Sequence, residues 1–369
     1  MKYWRGYLVA AIAGACTWGL IEFSKAHSAL VDMIYPYVTR MIQDYLAQWS
    51  AGAAFCVWQV VLMVLGVLVL ATAVLMIIFK WNPIQWFGWV LAGASVIFLL
   101  HTGLYGLNEY AGPLAADIRL QNVEYKCDIT ELEEAAVFYR DKANELAEQV
   151  SRDAEGNVQF AEFSLLAQQA GEGFRKLSYE EYNAVFAGST LPVKELGWSD
   201  LFTSRGVTGV TVALTGEAAV NPQVPQVGLP FAMCQQMAQR MAIANRADSK
   251  MAAFLACDAN SSAEFRYSGY FVIYWHFYHT LSAIYETSGA TDFAKLEAGM
   301  SSKLKQDMET YDSFFPQNAD GFVDGEVCDL MGVWHVEKHV LPLQKEEEAP
   351  FDPKDETKVD LSGIVNAKG

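Results

Sequence analysis

Histidines are the first residues in this sequence that suggest chemistry, because a neutral imidazole is both a general base and a common metal ligand. His335 and His339 lie four residues apart in the segment His-Val-Glu-Lys-His, so on a helix their side chains would share one face. Glu337, however, is two residues from each histidine and would point to a different face. The spacing therefore predicts solvent-facing histidines on a charged helix rather than a zinc site.

A second pair of histidines lies in an aromatic run. His276 and His279 are three residues apart within Tyr-Trp-His-Phe-Tyr-His at positions 274–279. The surrounding rings favour packing in a core or groove over metal binding. Other familiar catalytic patterns do not occur, since the sequence has no G-x-S-x-G nucleophile turn, no phosphate-binding glycine loop and no C-x-x-C redox pair.

The six cysteines give little support to a disulfide framework. Cys16 and Cys56 fall in apolar segments, and the other four are scattered at positions 127, 234, 257 and 328. Buried free thiols are the preferred interpretation, and a single bridge is the alternative.

Three apolar segments near the N-terminus predict membrane spans, at about residues 6–23, 53–79 and 84–107. The second segment contains no charged residue and is longer than the ~20 apolar residues that cross a bilayer core. The first is shorter, and a cleaved signal peptide is the alternative there because basic residues precede it. A lipid-modified Cys16 is disfavoured by Ala13, which stands where a bulky aliphatic residue is usual.

Positive charges predict the orientation of these spans. Lys2, Arg5 and Lys80 are expected on the cytoplasmic side of a cell membrane, so the chain after residue 108 should lie outside the cytoplasm. The linker between the first two spans has apolar residues at helical spacing: Leu30, Ile34, Val38, Met41, Ile42 and Tyr45. It predicts an amphipathic helix, either on the outer membrane surface or packed on the spans.

Charge separates the membrane region, residues 1–108, from the remainder. The whole chain has 26 Lys and Arg and 43 Asp and Glu, of which five and three lie in residues 1–108. This leaves 21 basic and 40 acidic residues after that point. Such an acidic domain repels phosphates, which argues against a nucleic-acid partner. We expect a soluble domain over 109–344 and an acidic, disordered tail over 345–369.

Local patterns in the soluble domain favour an α+β fold rich in helices. Thr130 and Glu133 are spaced as a capping box for a helix that runs to about residue 150. Glycine and β-branched residues over 206–216 predict a strand or hairpin. Further helices are expected at about 178–186, 230–244, 251–257, 270–285 and 291–311.

The stretch from residue 204 to 270 resembles a family of bacterial membrane-anchored proteins of unknown function, predicted to be zinc peptidases. Three features carry the resemblance: Gly-Val-Thr-Gly at 206–209 with Thr-Gly-Glu at 215–217; Leu-Pro-Phe at 229–231; and Phe-Arg-Tyr-Ser-Gly-Tyr at 265–270. The resemblance implies a zincin-like soluble domain after the N-terminal spans. It also implies a zinc-binding H-E-x-x-H helix after Leu-Pro-Phe, with an acidic third ligand further along.

This sequence departs from that family pattern at the zinc site. Gln235 and Gln239 stand at the two histidine positions, and Gln236 stands at the position of the catalytic glutamate. Arg246 and Asp248 fall in the segment expected to supply the acidic ligand. A neutral amide is a poor zinc ligand and cannot take a proton from water. We therefore expect neither bound zinc nor another cofactor, and regard these five positions as a vestigial site.

The resemblance suggests further cleft residues: Thr215, Glu217, Arg266, Tyr267 and Tyr270. The preferred function is a membrane-anchored, non-catalytic relative of zinc metallopeptidases whose cleft binds a peptide or protein partner. The alternatives are an active metallopeptidase with an unusual metal site and a structural membrane scaffold.

Overall fold

A computed structural model describes residues 4–121, 126–180, 182, 185–288, 293–316 and 323–342 of the chain. The predicted acidic tail lies outside these residues. Within them the chain is mainly helical, with one small sheet.

Three helices are long and apolar enough to cross a membrane, which indicates a membrane protein. They are α1 (Arg5–Ala26), α3 (Val57–Ile78) and α4 (Pro83–Leu104). Helices α1 and α4 approach closely at Gly6 and Gly88, where a Cβ on Gly6 would lie 2.4 Å from the Gly88 carbonyl carbon. Only the absence of a side chain permits this packing.

Helix α2 (Ser28–Ala51) carries its large apolar side chains outward. Residues facing the rest of the protein are small or polar, such as Thr39, Gln43 and Ala47. Met41 and Tyr45 are 68% and 72% exposed. The predicted amphipathic helix is therefore present, and its apolar face is not packed on the spans.

The remaining helices follow α4 in the chain and belong to a C-terminal domain. They are α5 (Leu114–Asp117), α6 (Ile129–Ala147), α7 (Phe163–Gln169), α8 (Gly171–Glu180), α9 (Ser199–Thr203), α10 (Leu229–Arg240), α11 (Arg246–Ala259), α12 (Ala263–Ser288), α13 (Phe293–Ala298), α14 (Ser302–Asp312) and α15 (Gly325–His335). Short 3-10 helices cover Gly106–Tyr110 and Gln226–Gly228, and a π-helical turn covers Val336–Val340. Helix α12 lies at the centre of the domain, packed against α6, α10, α11 and α15.

The helix boundaries differ from the sequence predictions in several places, and α11 and α12 each begin earlier than predicted. Asp128, not Thr130, caps α6, and it forms the capping box with Glu131. The single helix expected over 291–311 is divided, because Ser301 caps the start of α14 by accepting a hydrogen bond from the Leu304 amide at 3.2 Å. The helix expected from residue 178 is the end of α8, which begins at Gly171.

The sheet has three strands in the order β1-β3-β2. Strands β2 (Gly209–Val212) and β3 (Glu217–Val220) form a hairpin, of which the first strand and the turn lie in the segment 206–216 that predicted a strand or hairpin. Strand β1 (Lys194–Glu195) pairs parallel with β3. The turn of the hairpin ends at Gly216, whose φ of +65° suits glycine. This turn contacts α2, where the Gln43 side-chain amide donates to the Ala213 carbonyl at 2.9 Å.

Strand β3 also holds the first turn of α3. The buried Glu217 carboxylate accepts hydrogen bonds from the Val57 and Trp58 amides at 2.7 and 2.9 Å. These amides belong to the unpaired N–H groups that begin every helix. Lys194 on β1 completes the junction with an ion pair to Glu217 at 2.7 Å.

Candidate binding cavity

A cavity of about 410 Å³ lies between β2, α10 and α12. Its size is within the range of small-ligand sites. The residues that line it come from the approach to β2, from three helices and from aromatic side chains at one end: Arg205, Gly206, Val207, Thr208, Gly209, Phe231, Ala232, Gln235, Gln236, Gln239, Arg246, Lys250, Val272, Trp275, His276, Tyr311 and Phe315.

Gln235, Gln236 and Gln239 all line this cavity, because α10 begins at Leu229 and runs beneath the hairpin. Positions 235 and 239 share a helix face and 236 is offset by ~100°. Gln235 and Gln239 are partly exposed to the cavity. The Gln235 amide lies 3.5 Å from the Ser249 hydroxyl on α11.

Gln236 is buried and held under β2. Its side-chain oxygen and its carbonyl oxygen each lie 3.0 Å from the Thr211 hydroxyl. A Cβ at Gly209 would lie 2.7 Å from Gln236 Cγ, so the strand approaches the helix as closely as a glycine allows. The amide is thus fixed by protein contacts, whereas its two neighbours face the open cavity.

The cavity lining is cationic. Arg246 lines it from the first turn of α11, Lys250 lies one turn further on, and Arg205 approaches from the segment before β2. Lys250 pairs with Asp324 at 2.7 Å, and burial lowers the pKa of its ammonium although Asp324 opposes this effect. No Asp, Glu or Cys belongs to the lining among the described residues.

Asp248 does not line this cavity. It faces α5, where its carboxylate accepts a hydrogen bond from the Leu114 amide at 3.0 Å. Burial is the main reason that the pKa of Asp248 is raised to about 6, and the neighbouring Asp117 raises it further. Of the five vestigial positions, the structure thus brings four together at the cavity: Gln235, Gln236, Gln239 and Arg246.

The five further cleft residues suggested by the resemblance are also absent from the described lining of the cavity. Thr215 lies in the hairpin turn, and Glu217 caps α3. The Tyr267 hydroxyl donates to Asp307, which also pairs with Arg152 at 2.7 Å.

Tyr270 and Arg266 lie near Asp258 on the other side of α12. The helical periodicity of α12 explains why Tyr270 and Arg266 do not reach the cavity. The residues of α12 that line the cavity are Val272, Trp275 and His276, on a different face of the helix.

The histidines differ from their predictions in part. His335 is buried rather than solvent-facing, with its ring 4.5 Å from the Phe138 ring and 5.7 Å from that of His339. Burial, followed by the nearby His339, lowers the pKa of His335 to about 4. His276 is buried and lines the cavity, as the prediction of packing in a core or groove implies, and His279 lies 3.0 Å from Asp312.

The sequence patterns did not identify Arg205, Lys250, Tyr311 or Phe315 as residues of a cavity. A weak signal existed for Lys250, because it lies four residues after Arg246 and shares its helix face. Arg205 offered no such signal, since its position depends on how the hairpin docks on α10.

The cavity does not fit a zinc ion. Zinc sites use Cys, His and carboxylate ligands, whereas this lining supplies neutral amides, cations and one histidine. Across the parts of the chain that the structure describes, no group of three His, Cys, Asp or Glu side chains is placed to hold a metal ion. All six cysteines are free thiols.

A family model described as "Protein of unknown function (DUF3810)" matches residues 31–328. The chain belongs to this family. The match begins in α2 and ends in α15, so the DUF3810 region includes α3 and α4 as well as the domain that holds the cavity. The family description names no activity, and the relationship to zinc peptidases remains a hypothesis. No curated protein and no solved structure matches the chain.

Proposed function

We propose that this protein is a membrane-anchored, non-catalytic relative of zinc metallopeptidases and that its cavity binds an extended peptide. One observation carries the proposal: an edge strand, β2, lies directly over the helix that presents Gln235, Gln236 and Gln239. An exposed edge strand is the usual site at which a protein adds a peptide to its sheet.

The register of the hairpin indicates which groups would pair with the peptide. Hydrogen-bonded and non-hydrogen-bonded pairs alternate along an antiparallel ladder. The Asn221 amide donates to the Thr208 carbonyl at 2.9 Å, so the bonded pairs with β3 involve Thr208, Val210 and Val212. The main-chain groups of Gly209 and Thr211 then point away from β3, towards the place of an added strand.

Side chains in the cavity suit binding better than hydrolysis. Gln235 and Gln239 can donate to and accept from peptide groups. None of the three glutamines can act as a general base, because an amide does not take a proton near neutral pH. The proposal includes an extracytoplasmic position for the domain, which Lys2, Arg5 and Lys80 support.

Substitution of Thr211 by proline tests the proposal, since proline removes one outward N–H and is tolerated on edge strands. A random decapeptide library would first be selected against the full-length protein in lipid nanodiscs. We expect the selected peptides to bind Thr211→Pro at least about tenfold more weakly, equal to ~1.4 kcal/mol.

Thr211→Val is the matched control, because it removes the hydroxyl and keeps the N–H. It should change the affinity less than threefold. Equal affinity for the proline and valine variants would show that β2 does not pair with the peptide. Selection of no peptide at all would favour the structural scaffold.

A further inference from the structure

The cavity carries positive charge although the chain as a whole has a net charge of −17. Arg205, Arg246 and Lys250 line it, and none of its described lining residues is acidic. A concave site lined by one sign of charge concentrates its electric field and attracts ions of the opposite sign.

One carboxylate behind the lining balances part of this charge. Asp324 Oδ2 lies 2.7 Å from Lys250 Nζ and 3.5 Å from Arg246 Nε. Asp324 Oδ1 accepts a hydrogen bond from the Val327 amide, so the aspartate is also occupied as the cap of α15. The single negative charge of Asp324 is thus shared by Lys250 and Arg246, and its contact with Lys250 is the shorter of the two.

The two arginines retain most of their capacity to bind an anion. The Arg246 side chain is 60% exposed, and its ion pair with Asp324 is a single contact of 3.5 Å at Nε. Arg205 is exposed, and the ion pairs found among the described residues include none that involves it. Guanidinium groups bind carboxylates with two parallel hydrogen bonds.

We propose that the peptide held by this cavity carries a carboxylate that Arg246 and Arg205 bind. This inference rests on the proposed function, because β2 and the glutamines bind the main chain while the arginines select the charge. The carboxylate belongs either to the C-terminus of the peptide or to an Asp or Glu side chain, and a guanidinium recognises both in the same way.

Matched peptide pools distinguish these sources. Each pool contains random decapeptides carrying the same fluorophore: one free of Asp and Glu with a free C-terminus, one identical but with a C-terminal amide, and one amidated with a single Glu at varied positions. Binding to the full-length protein in phosphatidylcholine nanodiscs is measured by fluorescence anisotropy. We expect at least one carboxylate pool to bind about tenfold more tightly than the neutral amidated pool.

The double variant R205Q/R246Q should reduce this preference to less than threefold. Both side chains are at the surface, so the fold is expected to persist, and unchanged circular dichroism checks this. Arg175→Gln is the matched control: Arg175 is an exposed arginine on α8 outside the cavity lining. It should keep the full preference, and added NaCl should weaken that preference in the wild type.

Equal binding of the neutral and carboxylate pools would overturn this inference and leave the peptide-binding function standing. A preference that persists in R205Q/R246Q would overturn it as well, since the carboxylate would then bind elsewhere. Inorganic phosphate that displaces the carboxylate pool and itself binds more tightly would identify a small-anion site, contrary to the inference. Failure of every pool to bind would refute both proposals.

Discussion

Asp248 illustrates how packing sets the chemistry of a residue that the sequence associates with a site. It lies two positions after Arg246, yet it faces α5 and the acidic residues Asp117 and Glu326. Burial disfavours its ionised form, so the folded protein holds the Asp248 proton more tightly than the unfolded chain does. The unfavourable contribution is present above the folded pKa of about 6 and disappears as the pH falls towards the unfolded value near 4.

We expect Asp248→Asn to raise the free energy of unfolding by about 3 kcal/mol at pH 7.5, from a shift of roughly two pKa units. The gain should decline between pH 6 and pH 4 and vanish at lower pH, where the wild-type carboxyl is protonated in both states. Thermal unfolding of the two proteins in detergent across this pH range measures it. Glu134→Gln, at an exposed position of α6, is the control and should show no gain. A variant less stable than the wild type at pH 7.5 would contradict the argument.

The glutamines show what local pattern can and cannot predict at the scale of residues. The resemblance implied that Gln235, Gln236 and Gln239 share one vestigial site, and helix periodicity relates their positions to one another. The structure places them around one cavity. Tyr267 and Tyr270 were expected nearby, but their orientation depends on the rotation of α12, which the sequence around them does not specify.

At the scale of elements, α2 is unusual because its large apolar side chains face outward. Met41 and Tyr45 are exposed, whereas Thr39 and Gln43 are buried against the rest of the protein. A helix whose apolar side chains face away from the protein and whose polar side chains face towards it suits a position in the membrane interface.

We therefore predict that α2 contacts lipid. A spin label on Tyr45→Cys, in a Cys16→Ser background and in nanodiscs, should collide more with oxygen than with a water-soluble nickel chelate. The same label on Glu134→Cys should show the opposite preference. Equal accessibility patterns at the two positions would show that the apolar face of α2 lies in water or is covered by protein.

Whether an element could be predicted depends on whether the residues that form it are close together or far apart in the sequence. The spans and the hairpin were predicted because uncharged length, β-branched residues and glycines are local properties of the chain. The division of 291–311 into α13 and α14 was not predicted, although Gly299 and Ser301 are stop and start signals. The cap on α3 had no local signal at all, since Glu217 lies 160 positions from Val57.

At the scale of the whole molecule, the proposed orientation can be tested directly. Glu155→Cys, in the turn after α6, should react with a membrane-impermeant maleimide on intact cells. Trp81→Cys, between α3 and α4, should react only after lysis because Lys80 is expected to hold that loop in the cytoplasm. Both variants need the Cys16→Ser background. The reverse pattern of labelling would place the domain and its cavity in the cytoplasm.

The junction at Glu217 has a mechanical consequence. Hydrogen bonds from the Val57 and Trp58 amides to the Glu217 carboxylate join the first turn of α3 to β3. Strand β3 is paired along its length with β2, which lies over the cavity. Helices tilt to match their hydrophobic length to the thickness of the bilayer. A change in the tilt of α3 must therefore either break these bonds or carry the hairpin with it. The geometry of the cavity and the thickness of the surrounding membrane are therefore coupled through the junction between α3 and the sheet, of which Glu217 is a part.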